Sequence, residues 1–337
     1  MIISQIAIFI GAFLMLIWAS RILISSLTKM AVFLQMSEYA VAFIIMGIAT
    51  SVPEIFLAIS SSIGGIGELS FGNVLGANIL NITLLIGLIA IFAGGIEASP
   101  TIKNNTSPMV VIIILPFLLS FDGRLDWLDG VLLIAVYFFY LSRMVGREHK
   151  FEKTRFKLSG SMSQPTEKEE VSYRIKKGMP LYIPYDTDVI KQVFVFLGAI
   201  VLLLAASFLI ISASRSMAET LHLGLVSFGI LIVAMGTTVP ELVFGIRSVM
   251  LKHDEMTVGN AFGSVAVNSS LVLGIAALIS PVHLNINPRF YFYAFFILAS
   301  FALLKYLLKG EKIAITKKEG LILILVYVLF AVINTLI

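Results

Sequence analysis

The chain contains a copy of itself. Shifted by 187 residues, the separation of Glu54 from Glu241, the first half falls on the second without a gap. Thr50, Val52, Pro53 and Glu54 land on Thr237, Val239, Pro240 and Glu241. Gly72, Asn73, Gly76, Asn81, Leu84 and Gly87 land on Gly259, Asn260, Gly263, Asn268, Leu271 and Gly274. The apolar runs around these motifs count as five candidate membrane spans per half. An odd number forces the two halves into opposite orientations. Inverted repeats of this kind are a recurrent plan of secondary transporters, with the site at mid-membrane where the repeats meet.

Composition agrees with a membrane protein. Of 337 residues, 58% are hydrophobic and 13% charged, against about a quarter charged in soluble domains. Mean hydropathy is +0.99. Runs such as 188–214, 224–250 and 289–308 are each long enough to cross ~30 Å of hydrocarbon. The expected fold is an all-α polytopic membrane protein of ten helices, about 2–24, 37–64, 69–93, 105–121, 125–146, 188–214, 224–250, 256–279, 289–308 and 317–335. The N-terminal run lacks a basic leader and a small-residue cleavage site, so it reads as a first span. Lys and Arg crowd one side, with only Arg124, Arg215 and Arg289 on the other. That bias predicts a cell-membrane protein with both termini outside. A polar linker, 147–187, separates repeat 1–146 (motif 47–87) from repeat 188–337 (motif 234–274) and is expected to be cytoplasmic. The basic residues act as a topology signal, so nucleic acid is not an expected partner. Membrane lipid and inorganic cations are, with a monomer as the expected state.

The acids carry the functional information. Of 20 Asp and Glu, only Glu54 and Glu241 lie deep within spans, and they are repeat mates. An intramembrane acid costs roughly 2.5–3.5 kcal/mol on insertion scales, so a symmetric pair implies a use. Each follows a proline, Pro53 or Pro240. Proline lacks an N–H and its ring displaces the carbonyl four residues back. Helices 2 and 7 should therefore break near mid-membrane, freeing carbonyls at Ala49 and Gly236. Unwound backbone at that depth must line a cavity or be buried in protein. Hydroxyls flank the same turns: Thr50 and Ser51 in one half, Thr237 and Thr238 in the other.

The following spans add Asn81 and Asn268, one turn beyond Ala77 and Ser264. A buried asparagine often bonds a neighbouring helix. At matching positions beside a carboxylate pair, these two read as ligands. Cysteine is absent and the four histidines fall near span ends. An all-oxygen set selects hard cations such as Ca²⁺ and Na⁺ over zinc or copper. An enzyme is not expected. An intramembrane aspartyl protease needs a pair of membrane aspartates, and every Asp here lies in a loop or at a span end. Deep acids in inverted repeats also argue against a passive channel.

The motifs "ATSVPE…GNVLGANILN" and "GTTVPE…GNAFGSVAVN" closely resemble the α-repeats of the calcium/cation antiporter superfamily, in particular its prokaryotic-type sodium/calcium exchanger branch. The resemblance covers both halves. It implies ten helices in inverted repeats, with helices 2, 3, 7 and 8 around the ions and helices 1 and 6 sliding as the gate. It implies Glu54 and Glu241 as main ligands, with Thr50, Ser51, Thr237, Thr238, Ser264, Asn81 and Asn268 contributing, and carbonyls near Gly47 and Ala234 lining the outer positions. The implied activity is export of Ca²⁺ in exchange for Na⁺ by alternating access, without a tightly bound cofactor. Three departures stand out. Both Asn81 and Asn268 are neutral where the family usually carries at least one Asp. Ala77 replaces a common Ser, and "IATS" replaces the usual "GTS". One acid and one hydroxyl are thereby lost, which keeps a second reading open: exchange of Ca²⁺ or another divalent cation for H⁺.

Overall fold

The computed structural model describes residues 2–31, 42–97, 100–158, 188–220, 224–250, 254–308 and 313–336. The expected start of the second span (37–41) and most of the linker (159–187) lie outside the described residues. The long helices in chain order are α1 (Ile2–Ala31), α2 (Ala42–Thr50 and Val52–Ile63), α3 (Gly67–Ala93), α4 (Pro100–Leu119) and α5 (Trp127–Leu158). They continue as α6 (Asp188–Thr220), α7 (Leu225–Thr237 and Val239–Met250), α8 (254–279), α9 (Pro288–Leu307) and α10 (Lys317–Leu336).

Among the described residues, seven helices are long and apolar enough to cross a membrane, and nine are if each bent pair counts as one span. In α1 the apolar stretch is shorter, Ser4–Ala19. Large side chains such as Leu14, Phe92, Phe138, Phe139, Val201 and Phe295 stand exposed. Patches of this kind are rare on soluble monomers and here form lipid-facing surface. The protein is a multi-pass membrane protein.

Burial sorts the helices. The apolar windows of α3 and α8 are 83% and 78% buried, while those of α5 and α10 are only 28% buried. The two helices with the "GN" motifs are thus central, and α5 and α10 are peripheral. Small residues explain the central packing. A methyl added at Gly76 would lie 2.4 Å from the Ile230 carbonyl oxygen, and one at Gly263 would lie 2.2 Å from that of Phe43. These two contacts are repeat mates. Each presses a helix of one half onto the first segment of the broken helix of the other, the close approach that small residues spaced four apart permit.

The shift of 187 residues carries whole elements as well as motifs. The π-helical turn Ala42–Met46 maps onto Gly229–Val233, and Val52–Ile63 maps onto Val239–Met250. Short antiparallel ribbons also tie the halves together. Strand β1 (Ile96–Glu97) pairs with β4 (Ile313–Ile315), and β2 (Arg124–Leu125) pairs with β3 (Val282–His283). Each ribbon takes one strand from each half.

One sequence expectation needs adjustment. The fifth helix does not end at 146; it runs on to Leu158. The charged stretch "REHKFEKTRFKL" is rich in straight-chain residues that lose little freedom in a helix. The hydrophobic interior also divides in two. The larger cluster joins α2–α5 and α7–α10. A second centres on α1 (Phe9, Phe13, Leu16) and α6 (Leu203, Ile210), touching α2 through Val52 and Leu57.

Candidate cation site

Both broken helices bend at a single residue. Ser51 (φ −83°, ψ 6°) and Thr238 (φ −80°, ψ −2°) leave regular helical geometry, giving bends of 46° in α2 and 41° in α7. Helical bonding resumes at once, with Ile55 N–H donating to Ser51 O at 3.0 Å and Leu242 N–H to Thr238 O at 3.1 Å. The expectation of an unwound stretch with free carbonyls is therefore corrected. The N–H of Ser51 reaches both Gly47 O and Ala49 O, and that of Thr238 reaches both Ala234 O and Gly236 O. The physical reason is that the proline sits in the first turn of a new helix, where its missing N–H would be unbonded anyway. The same start places Glu54 and Glu241 in the first turn of their segments, where the helix dipole favours negative charge.

Glu54 and Glu241 are both fully buried, and none of their four carboxylate oxygens has a hydrogen-bond partner. They lie close enough for their charges to interact. Thr237 of the opposite repeat lies beside Glu54, while Thr50 of the opposite repeat and Ser264 of the same repeat lie beside Glu241. Thr50 donates to Asn260 Oδ1 at 3.2 Å and is 3.0 Å from Ser264 Oγ. In the mirrored place Thr237 donates to Asn73 Oδ1 at 3.1 Å. Ala77 stands where Ser264 stands in the other half and supplies no hydroxyl.

The remaining predicted residues divide into two groups. Ser51 is buried with its hydroxyl unpartnered. Thr238 turns its hydroxyl back onto Ala234 O at 2.7 Å. The Ala234 carbonyl also takes the Thr238 N–H at 3.0 Å and the Thr237 hydroxyl at 3.3 Å. By contrast, Gly47 O takes the Ser51 N–H at 3.3 Å. Asn81 and Asn268 are fully buried with every amide oxygen and nitrogen unpartnered. Asn81 opens the π-helical turn Asn81–Leu85, and Asn268 is the second residue of the turn Val267–Val272. The turn holding Asn81 packs on the Glu241 segment, and the turn holding Asn268 packs on the Glu54 segment.

Sequence reasoning missed the π turns. They recur at functional sites, and here each is sealed by a hydroxyl. Thr83 donates to Ile79 O and its mate Ser270 donates to Ala266 O. The contact roles of Asn73 and Asn260 were also missed, although both stand in the repeated "GN" pair. Among the described residues, no three His, Cys, Asp or Glu side chains come together. What the fold assembles is two carboxylates and a shell of neutral oxygens, with no cationic side chain among the described residues bonded to either acid.

Residues 4–146 and 191–336 match the family described as sodium/calcium exchanger protein. The chain belongs to that family. Its members are exchangers, not enzymes, and this chain falls in the prokaryotic-type branch. "Putative antiporter CaxA" of Alkalimonas amylolytica is 26% identical over 329 residues, covering 97% of both chains. "Sodium/calcium exchanger MaX1" of Methanosarcina acetivorans is 25% identical over 333 residues, covering 94% of this chain and 95% of that one. Solved structures of the sodium-calcium exchanger NCX_Mj share the fold, with a TM-score of 0.64 at 21% identity and 98% coverage of both chains.

Proposed function

We propose that this exchanger exports Ca²⁺ in exchange for Na⁺ by alternating access, holding the cations between Glu54 and Glu241 at mid-membrane. One observation carries the reading: two fully buried carboxylates, one from each repeat, lie near each other with only neutral hydroxyls beside them and, among the described residues, no basic group bonded to either. A buried charge is costly unless it is paired or coordinates a metal. A transported cation supplies that pairing and is released when the site opens. Thr50, Thr237, Ser51, Ser264, Asn81 and Asn268 offer the neutral oxygens that hard cations prefer. Thr238 and the Gly47 and Ala234 carbonyls complete the proposed set. The arrangement is read as ten spans in inverted five-helix repeats, with α1 as the first span, α2 and α7 as broken spans, both termini outside and 147–187 cytoplasmic.

The proton-driven reading has its own support. Two neutral asparagines and Ala77 leave fewer sodium ligands on the first-repeat side, and unpartnered carboxylates can carry protons. The deciding experiment reconstitutes the protein in liposomes and imposes Na⁺ and H⁺ gradients separately. A sodium gradient alone should drive ⁴⁵Ca²⁺ uptake. Uptake that follows the proton gradient and ignores sodium transfers the assignment to a divalent cation/H⁺ antiporter.

A further inference from the structure

We propose that Asn73 and Asn260 are positioning residues that aim the threonine ligands of the opposite repeat at the cation. The inference rests on the cation-site reading above and assigns a role to two residues which that reading leaves outside the ligand set.

A threonine hydroxyl has one proton to donate and two lone pairs. If the proton points into a site meant for a cation, the ligand is lost. The Thr50 proton is taken by Asn260 Oδ1 at 3.2 Å and the Thr237 proton by Asn73 Oδ1 at 3.1 Å. Each threonine thus has an acceptor outside the pocket to which a bound cation would drive its single proton, although Thr237 also has Ala234 O at 3.3 Å, and at least one lone pair is left to face the cation. With the Thr50 proton on Asn260, the 3.0 Å contact with Ser264 would have the serine hydroxyl donating, which leaves the Thr50 oxygen one lone pair for the cation.

Two further features separate these contacts from ordinary helix glue. They are repeat mates, so the same device is built twice. Both asparagines are almost wholly buried, at 1% and 0% exposure, yet their amide nitrogens have no partner. A buried amide used only for packing leaves few such groups unmet. The side chain is held for its oxygen. The bond also crosses between repeats, from the break of one to the central helix of the other. It couples the two halves of the pocket, so both threonines keep their aim while the site changes access.

The test is a set of double-mutant cycles on the full-length protein, read by equilibrium ⁴⁵Ca²⁺ binding and, separately, by the thermal midpoint in cation-free detergent. Outer partners of metal ligands are typically worth 10–100-fold in affinity, so Asn260→Leu should weaken Ca²⁺ binding about tenfold. Thr50→Val should do the same, and the double variant should be no weaker than the worse single. Combining Asn260→Leu with Thr50→Ser, which keeps the hydroxyl, should retain the full loss. Asn260→Leu with Thr237→Val should multiply, and Asn73 should show the reverse partner choice. Should leucine block folding, Asn260→Ala runs the same cycle. Multiplying effects for Thr50 with Asn260, or a change confined to the thermal midpoint, overturns the proposal. Wild-type protein that binds and exchanges no cation overturns the site reading as well.

Discussion

Glu54 and Glu241 combine complete burial with the absence of any partner, and this yields an unusual expectation. Glu54→Gln or Glu241→Gln removes half of the −2 charge facing a divalent ion, so exchange in proteoliposomes should fall to background. The same change removes an uncompensated buried charge, so the thermal midpoint without cations should hold steady or rise. Full exchange activity in either variant would sink the assignment. A gain is expected at Ala77. Its mate Ser264 contacts Thr50, so Ala77→Ser should place a matching hydroxyl beside Thr237. The Na⁺ concentration for half-maximal exchange should drop several-fold, read from the Na⁺ dependence of Ca²⁺ flux. No change there would mean that the first-repeat side does not hold sodium.

At the scale of elements, the site depends on helices that touch through backbone. Placing a Cβ at Gly263 sets it 2.2 Å from Phe43 O, and at Gly47 sets it 2.7 Å from the Gly263 backbone. Backbone cannot swing aside as a side chain does, and overpacking typically costs 1–3 kcal/mol. Gly263→Ala should therefore lower the thermal midpoint by several degrees and weaken cation binding with it. Gly198→Ala is the control. Nothing lies within 4 Å of its added methyl, and alanine is favoured over glycine in a helix by about 1 kcal/mol. Equal midpoints for the two variants would show that the contact between α8 and α2 is slack. The π turns serve the same end, since they re-aim Asn81 and Asn268 without ending the helix.

Across the whole molecule, two hydrophobic interiors suggest two bodies. Helices α1 and α6 pack mainly on each other, and the site helices join the larger cluster. The α1–α6 pair meets the site at specific places. Phe13 of α1 fills the space beside Gly236, where an added Cβ would lie 2.1 Å from its ring. If α1 and α6 slide across the site helices, tying them down must stop transport. The chain has no cysteine, so Phe13→Cys with Gly236→Cys introduces the only thiols. Crosslinking that pair with a cleavable reagent should abolish Ca²⁺ exchange and leave Ca²⁺ binding measurable, and cleavage should restore exchange. Exchange that continues at full rate in the crosslinked protein would rule out movement of α1 relative to α7.

Much of this protein is legible from local chemistry. Apolar runs specify membrane helices because lipid leaves backbone groups no other partner. The internal repeat is written residue by residue. The bends at Ser51 and Thr238 sit beside Pro53 and Pro240 because the missing N–H is fixed by the covalent structure. The buried acids are conspicuous because few groups are costlier at that depth. The tertiary structure decided what local rules do not encode. It confined each break to one residue, because the proline landed in a first helical turn. It split the interior between the α1–α6 pair and the remaining helices. It also brought Thr50 to Asn260 and Thr237 to Asn73, partners 210 and 164 positions apart. The repeated "GN" was visible in the chain, but its partner was not. A hydrogen bond across the two halves forms only after both helices pack, and no propensity of either segment specifies the other.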